Sequence, residues 1–151
     1  MKIRYKGPKE DIPVLLENLK NGDIEFVLSG EDFELKKQSV PITSLIGELD
    51  NDFVIINYED IIFVESYAHE VSCITKDGIY RIKEKLYEVE GLFSEYGFLR
   101  IHKSYVVNIK QIKRIVPEFN RKFKLVLSND QKIEVSRRYF VEFKEAIGMK
   151  V

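Results

Sequence analysis

Residues 98–108 read Phe98-Leu99-Arg100-Ile101-His102-Lys103-Ser104-Tyr105-Val106-Val107-Asn108. Two apolar runs, 98–101 and 104–107, flank the charged pair His102-Lys103. The stretch predicts two short strands whose connection turns polar side chains outward. On its N-terminal side, 53–57 and 61–66 are apolar, β-branched runs of strand length. Residues 71–75 and 79–82 around Lys76-Asp77-Gly78 predict a hairpin with a glycine-containing turn. Leu86, Val89 and Phe93 recur at helical spacing within 84–94, and Tyr96-Gly97 ends that helix. On the C-terminal side, 112–116 precedes Pro117, and 122–127 alternates strictly. Ser128-Asn129-Asp130 then turns into a returning strand at 132–135. Phe140, Phe143 and Ile147 share one helical face over 136–147, with Gly148 just beyond. The expected class is β-rich α+β with two short helices.

The first 52 residues predict a small α/β element of their own. Lys2 to Tyr5 alternates as a strand, and 11–20 carries Ile12, Leu15, Leu16 and Leu19 at helical spacing. Pro13 fits a first turn and Asn21-Gly22 a helix stop. A strand at 24–28 and a turn at Ser29-Gly30 follow. Asp50-Asn51-Asp52 is a polar break, which sets the expected boundary between an extension at 1–52 and a domain at 53–151. Residues 1–52 are too short for a phospho-acceptor receiver domain and carry no nucleotide-binding glycine pattern.

A chain of 151 residues with 44% apolar content can bury a core, which argues against disorder. Its uninterrupted apolar runs are too short for a membrane helix, and Met1-Lys2-Ile3-Arg4-Tyr5 does not open a signal peptide. One cysteine, Cys73, excludes an intramolecular disulfide and fits a reducing, cytoplasmic setting. The net charge of −1 argues against a nucleic-acid partner only when the chain is taken whole. Residues 1–52 carry net −4, 53–99 net −5 and 100–151 net +8. Such asymmetry points to a polyanion partner, although a solvated basic face would give the same count.

Enzyme signals are thin. His69, His102 and Cys73 do not form a zinc spacing, and no phosphate-cradling loop or nucleophile elbow is present. No cofactor or metal is expected. Cys73 lies in a strand pattern, where a buried, inert thiol is usual.

Three polar tips stand out instead. Ser136 reads as a helix N-cap, placing Arg137 and Arg138 in a first turn where the macrodipole disfavours cations. An anion docking there would explain the pair, as would pairing with Glu134 or Glu142. Lys103 can reach phosphate or a guanine edge, while His102 holds the turn or emerges beside it. Tyr67-Ala68-His69-Glu70 is the third tip.

The order of these segments resembles the LytTR (LytR/AlgR-type) DNA-binding domain of bacterial transcription regulators. Asp60-Ile61-Ile62-Phe63-Val64-Glu65-Ser66 and the 98–108 stretch carry the likeness, followed by Ile112-Lys113-Arg114-Ile115 and Ile133-Glu134-Val135-Ser136-Arg137-Arg138-Tyr139. It covers about residues 53–148. The resemblance implies stacked antiparallel sheets that read promoter repeats with loop side chains in successive major grooves. By motif position the DNA-binding residues would be His69 or Glu70, Lys103, and Arg138 with Arg137 beside it. Glu65, Tyr105, Val107 and Asn108 would support the scaffold. Glu70 departs from this pattern, because a carboxylate repels phosphate, though it can accept a hydrogen bond from cytosine N4. The resemblance implies a stand-alone regulator, expected as a homodimer on double-stranded DNA, with a companion membrane protein as a further partner. The competing reading is a protein-interaction module that kept the fold without binding DNA.

Overall fold

The computed structural model describes the backbone at 2–5, 24–29 and 32–37, and backbone with side chains at 41–150. Two compact units divide the chain, Met1–Pro41 and Ile42–Val151. In the first, β1 (Lys2–Tyr5), β2 (Ile24–Ser29) and β3 (Asp32–Lys37) form an antiparallel sheet in the order β1-β3-β2. Strand β3 was not foreseen from the sequence, and the helix expected over 11–20 lies outside the described residues.

The second unit holds seven strands in the order β5-β4-β8-β7-β6-β10-β9. They are β4 (Ser44–Leu49), β5 (Asp52–Asn57), β6 (Ile61–Tyr67), β7 (Glu70–Thr75), β8 (Ile79–Ile82), β9 (Phe98–His102) and β10 (Tyr105–Asn108). Helix α1 (Leu86–Phe93) lies between β8 and β9 in the chain. A three-stranded sheet follows, β11 (Ile112–Glu118), β12 (Lys122–Leu127) and β13 (Lys132–Val135), and then helix α2 (Phe140–Ala146). Every strand pairing is antiparallel, as the hairpin patterns predict. Among the described residues no helix is long and apolar enough to cross a membrane.

The polar break at Asp50-Asn51 joins β4 to β5. Both residues have positive φ, 49° and 68°, and Leu49 pairs with Asp52. The second unit therefore begins at Ile42, ahead of the boundary expected from composition. Asp and Asn tolerate the left-handed region, so they serve hairpin turns as readily as linkers, and composition alone does not separate the two. Strand β4 is hard to see in the sequence because Gly47 interrupts it. Its Cα faces Tyr80 so closely that an added Cβ would lie 2.7 Å from the Tyr80 Cβ.

Strand β6 explains the unbroken apolar run at 61–64, since all four residues are buried. Ile61 and Val64 join one core with Leu86, Val89 and Phe93 of α1, while Ile62 and Phe63 join a second core. That second core fills the space between the two sheets with Phe123, Leu125, Leu127, Ile133, Val135 and, from α2, Phe143. The alternation of β12 thus buries Phe123, Leu125 and Leu127 on one face of the small sheet, and it breaks at Val126, which is buried on the other. Each such side chain contributes about 1.5–3 kcal/mol by leaving water.

Asn108 is a buried polar residue at the end of β10, 1% exposed. Its Nδ2 donates to the Ile61 carbonyl at 2.9 Å, and its Oδ1 accepts from the Lys110 amide at 3.1 Å. The side chain therefore pins the start of β6 and the turn after β10 together. Asn108→Ala would leave both backbone groups without their partner, and chemical denaturation should register a loss of about 1–3 kcal/mol.

Candidate nucleic-acid interface

Three backbone connections meet at one end of the second unit. Tyr67 pairs with Glu70, and Ala68 and His69 between them have φ of 49° and 67°. Positive φ at both positions defines the two-residue hairpin turn that matches strand twist, and it leaves His69 exposed at the tip. Glu70 is directed elsewhere: its Oε1 lies 3.2 Å from Nη1 of Arg81, whose Nε is 4.0 Å from Glu48. The scaffold thus supplies Glu70 with a cation, and this pairing competes with any hydrogen bond to a base.

His102 pairs with Tyr105, leaving Lys103-Ser104 as the second turn. Arg100 grips this turn from beneath. Its Nε donates to the His102 carbonyl at 2.8 Å and its Nη2 to the Lys103 carbonyl at 2.6 Å. The Ser104 amide donates to Nδ1 of His102 at 3.1 Å. Both carbonyls are occupied and the Lys103 side chain is left exposed. His102 therefore has a structural task, and Arg100 is a turn clamp that no sequence pattern marked. The Ser66 amide donates to the Ser104 carbonyl at 2.9 Å, which sets the first two turns side by side.

The third connection follows β13. The Ser136 amide donates to the Ile101 carbonyl at 2.9 Å, bringing the small sheet to the end of β9. Arg137–Tyr139 then forms a 3₁₀ turn, and the α-helix begins only at Phe140. Ser136 does hold the N-cap position, its carbonyl accepting from the Tyr139 amide at 3.0 Å, but the turn it opens is 3₁₀ and not the first turn of the α-helix. Its side chain makes no capping bond, and the arginines precede the α-helix, so the macrodipole argument does not apply to them. A Ser followed by a helical apolar face reads alike in either geometry. Glu134, one expected partner of the arginines, pairs with Lys122 at 3.2 Å. Among the described residues neither guanidinium is ion-paired with a carboxylate. Arg137 Nε donates to the Asn120 carbonyl at 3.3 Å, and the Arg138 guanidinium lies 5.5 Å from the Tyr139 ring centroid.

The arrangement brings His69, Lys103, Arg137 and Arg138 to one end and engages Glu70 in an ion pair. It also separates two kinds of basic residue. Lys113, Lys122 and Lys124 are tied to Asp130, Glu134 and Glu118 at 2.8, 3.2 and 2.8 Å. Lys103, Arg137 and Arg138 are exposed and carry no such pair among the described residues. Uncompensated cations at one end create a local positive field on a chain of net charge −1.

The remaining candidates are scaffold. Val107 and Asn108 are buried, and burial and then Glu65 raise the Tyr105 hydroxyl above its ordinary pKa. Cys73 is fully buried, and desolvation followed by the Glu84 carboxylate pushes its thiol up to about 12, which keeps it protonated at neutral pH.

Residues 51–148 match the LytTr DNA-binding domain family, and the chain belongs to that family. It is 35% identical over 144 residues to the sensory transduction protein LytT of Bacillus subtilis (strain 168), covering 95% of this chain and 52% of that protein. The transcriptional regulatory protein LytR of Staphylococcus aureus (strain N315) is 30% identical over 112 residues, 74% of this chain and 44% of that one. The chain thus spans about half the length of the curated relatives it matches. A LytTr DNA-binding domain from Bacillus cereus shares the fold with a TM-score of 0.68 at 22% identity, covering 71% of this chain and 98% of that one.

His102 gives the turn a pH dependence. Burial lowers its pKa below the ordinary histidine value; Glu134 opposes the shift, and Lys103, Lys122 and Arg100 add to it. The unfolded chain therefore takes up this proton first, so stability falls as pH drops through the unfolded value near 6.5 and on toward the lower folded one. His102→Asn keeps an acceptor for the Ser104 amide but cannot titrate. Urea denaturation at pH 7.5 and 5.5 should show a smaller loss of stability for the variant than for the wild type.

Proposed function

We propose that this chain is a sequence-specific regulator of transcription that binds double-stranded DNA and reads promoter repeats with the side chains of three turns. The observation that carries the reading is the alignment of Lys103, Arg137 and Arg138, exposed and without carboxylate partners among the described residues, at the end that also bears His69. In this reading Arg138 and Lys103 reach base edges in the major groove, where guanine N7 and O6 accept hydrogen bonds. Arg137, held by the Asn120 carbonyl, takes a phosphate and fixes register. His69 contacts the groove from the neighbouring hairpin. Glu70 helps indirectly by fixing Arg81 below that hairpin, and it takes part in readout only if its ion pair opens.

Reading a pair of repeats calls for two copies of the chain. The first unit, Met1–Pro41, is proposed to supply a dimer contact or a partner site, a role supported by the spacing of Ile12, Leu15, Leu16 and Leu19. A companion membrane protein acting on that element belongs to the same proposal. The competing adaptor reading dispenses with base contacts altogether, and the uncompensated cations argue against it.

Selection of duplexes from a random pool with the full chain should return a defined site. Neutralising six phosphates would make affinity fall by about 10³ between 50 and 200 mM salt. Arg138→Ala should weaken the selected site by about 1–3 kcal/mol in a binding titration. An unenriched pool, or unchanged affinity in that variant, argues for the adaptor or against base reading respectively.

A further inference from the structure

We infer that the hairpin tip Phe119-Asn120-Arg121 is a fourth DNA-contact element, with Arg121 on a phosphate and Phe119 against sugar or base at the margin of the site. The inference rests on the DNA-binding reading and extends it to a loop inside the basic segment 100–151 that no motif position marks.

Placement comes first. Glu118 and Lys122 are the last paired residues of β11 and β12, so the three residues between them project past the ladder. Phe123 pairs with Val135, and β13 leaves that end of the sheet through Ser136 into Arg137. The tip therefore emerges beside the arginine turn, and the 3.3 Å bond from Arg137 Nε to the Asn120 carbonyl joins the two.

Side-chain chemistry comes second. Phe119 is 93% exposed, so the fold gains almost nothing from its ring. Hairpin tips ordinarily carry polar or small residues. An aromatic held out at such a tip suits a surface with apolar edges, which sugars, thymine methyls and unstacked bases offer. Asn120 and Arg121 have φ of 61° and 57°. Asn accepts that region; for Arg it is strained, and Gly would relieve the strain. Arg121 places a long cation at that strained position, where its guanidinium lies at the surface over the Phe140 ring.

The surroundings favour a polyanion over a protein partner. The Arg121 guanidinium lies 5.5 Å from the Phe140 ring centroid and the Lys144 ammonium 5.3 Å from the same ring. Arg137 adds a third cation beside the tip. The two carboxylates of the adjoining strands, Glu118 and Glu134, are neutralised by Lys124 and Lys122. Around the tip the cations Arg121, Arg137 and Lys144 outnumber the one remaining carboxylate, Glu145, and Phe119 is its most exposed apolar side chain, with Val116, Val141 and Met149 less so. Standard protein interfaces bury about 800 Å² on each partner and need a broader apolar centre.

The test uses the full chain and a duplex taken from the random-pool selection, with wild type, Phe119→Ala, Arg121→Gly and Arg138→Ala compared. Phe119→Ala should leave the thermal midpoint unchanged and weaken binding by about fivefold or more. Arg121→Gly should keep or raise the midpoint while reducing the slope of log K against log salt by about 0.9, the loss of one phosphate contact. If both bind with wild-type affinity and slope while Arg138→Ala has lost affinity, the fourth element is overturned and the DNA reading stands. A lowered midpoint in Arg121→Gly with an unchanged slope would assign Arg121 a structural role and also overturn it. If the wild type enriches no duplex, the DNA reading itself fails, and this inference with it.

Discussion

The 2.9 Å hydrogen bond from the Ser136 amide to the Ile101 carbonyl fixes where the small sheet meets the large one. It joins the exit of β13 to the end of β9, one residue before His102. The core between the sheets, from Ile62 to Phe143, resists separation of the layers but does not by itself set their register. The Ser136 bond does so at the end where the turns emerge. Its counterpart, from the Ser66 amide to the Ser104 carbonyl, aligns the first two turns within the large sheet. Together these two bonds convert three segments distant in sequence into one surface.

Rigidity at that surface comes from short-range clamps. Arg100 spends its guanidinium on two turn carbonyls, and His102 accepts from the Ser104 amide. Such contacts hold Lys103 at a fixed height without touching its ammonium, so the charge proposed to meet DNA is carried on a preorganised turn. The same division of labour separates the paired lysines of β12 from the arginines after β13, which carry no carboxylate partner among the described residues. Exposed ion pairs add little stability, yet they remove Lys122 and Lys124 from the field available to a polyanion. The net charge of −1 thus conceals a basic end, where Lys103, Arg137 and Arg138 carry no carboxylate partner among the described residues.

Much of this was legible in the sequence, for identifiable reasons. Alternation through Phe123, Leu125 and Leu127 and the helical spacing of Leu86, Val89 and Phe93 each encode one buried face, and the glycine turn at 76–78 joins β7 to β8 where expected; the alternation fails only at Val126, which is also buried. The tips were legible because charged residues interrupt apolar runs. Strand β4 was not, since Gly47 and the polar ends of the strand erase the period. The Asp50-Asn51 turn passed for a boundary because linker and hairpin draw on the same residues. The 3₁₀ turn at 137–139 was hidden because periodicity does not register one tighter turn before a helix. Arg100 carries no local signal of its task, which only its two carbonyl contacts reveal. The ion pair of Glu70 was not legible because its partner, Arg81, lies eleven residues away in sequence on the neighbouring strand.

The central claim is that separate turns read separate bases. It is tested most directly by measuring the affinity of wild type, Lys103→Ala and Arg138→Ala for a selected duplex with every base pair substituted in turn. The account predicts that each variant loses discrimination at its own position and retains it elsewhere. A uniform loss of affinity across all the substituted duplexes, with discrimination intact at every position, would show that these side chains grip only phosphates and would contradict the claim.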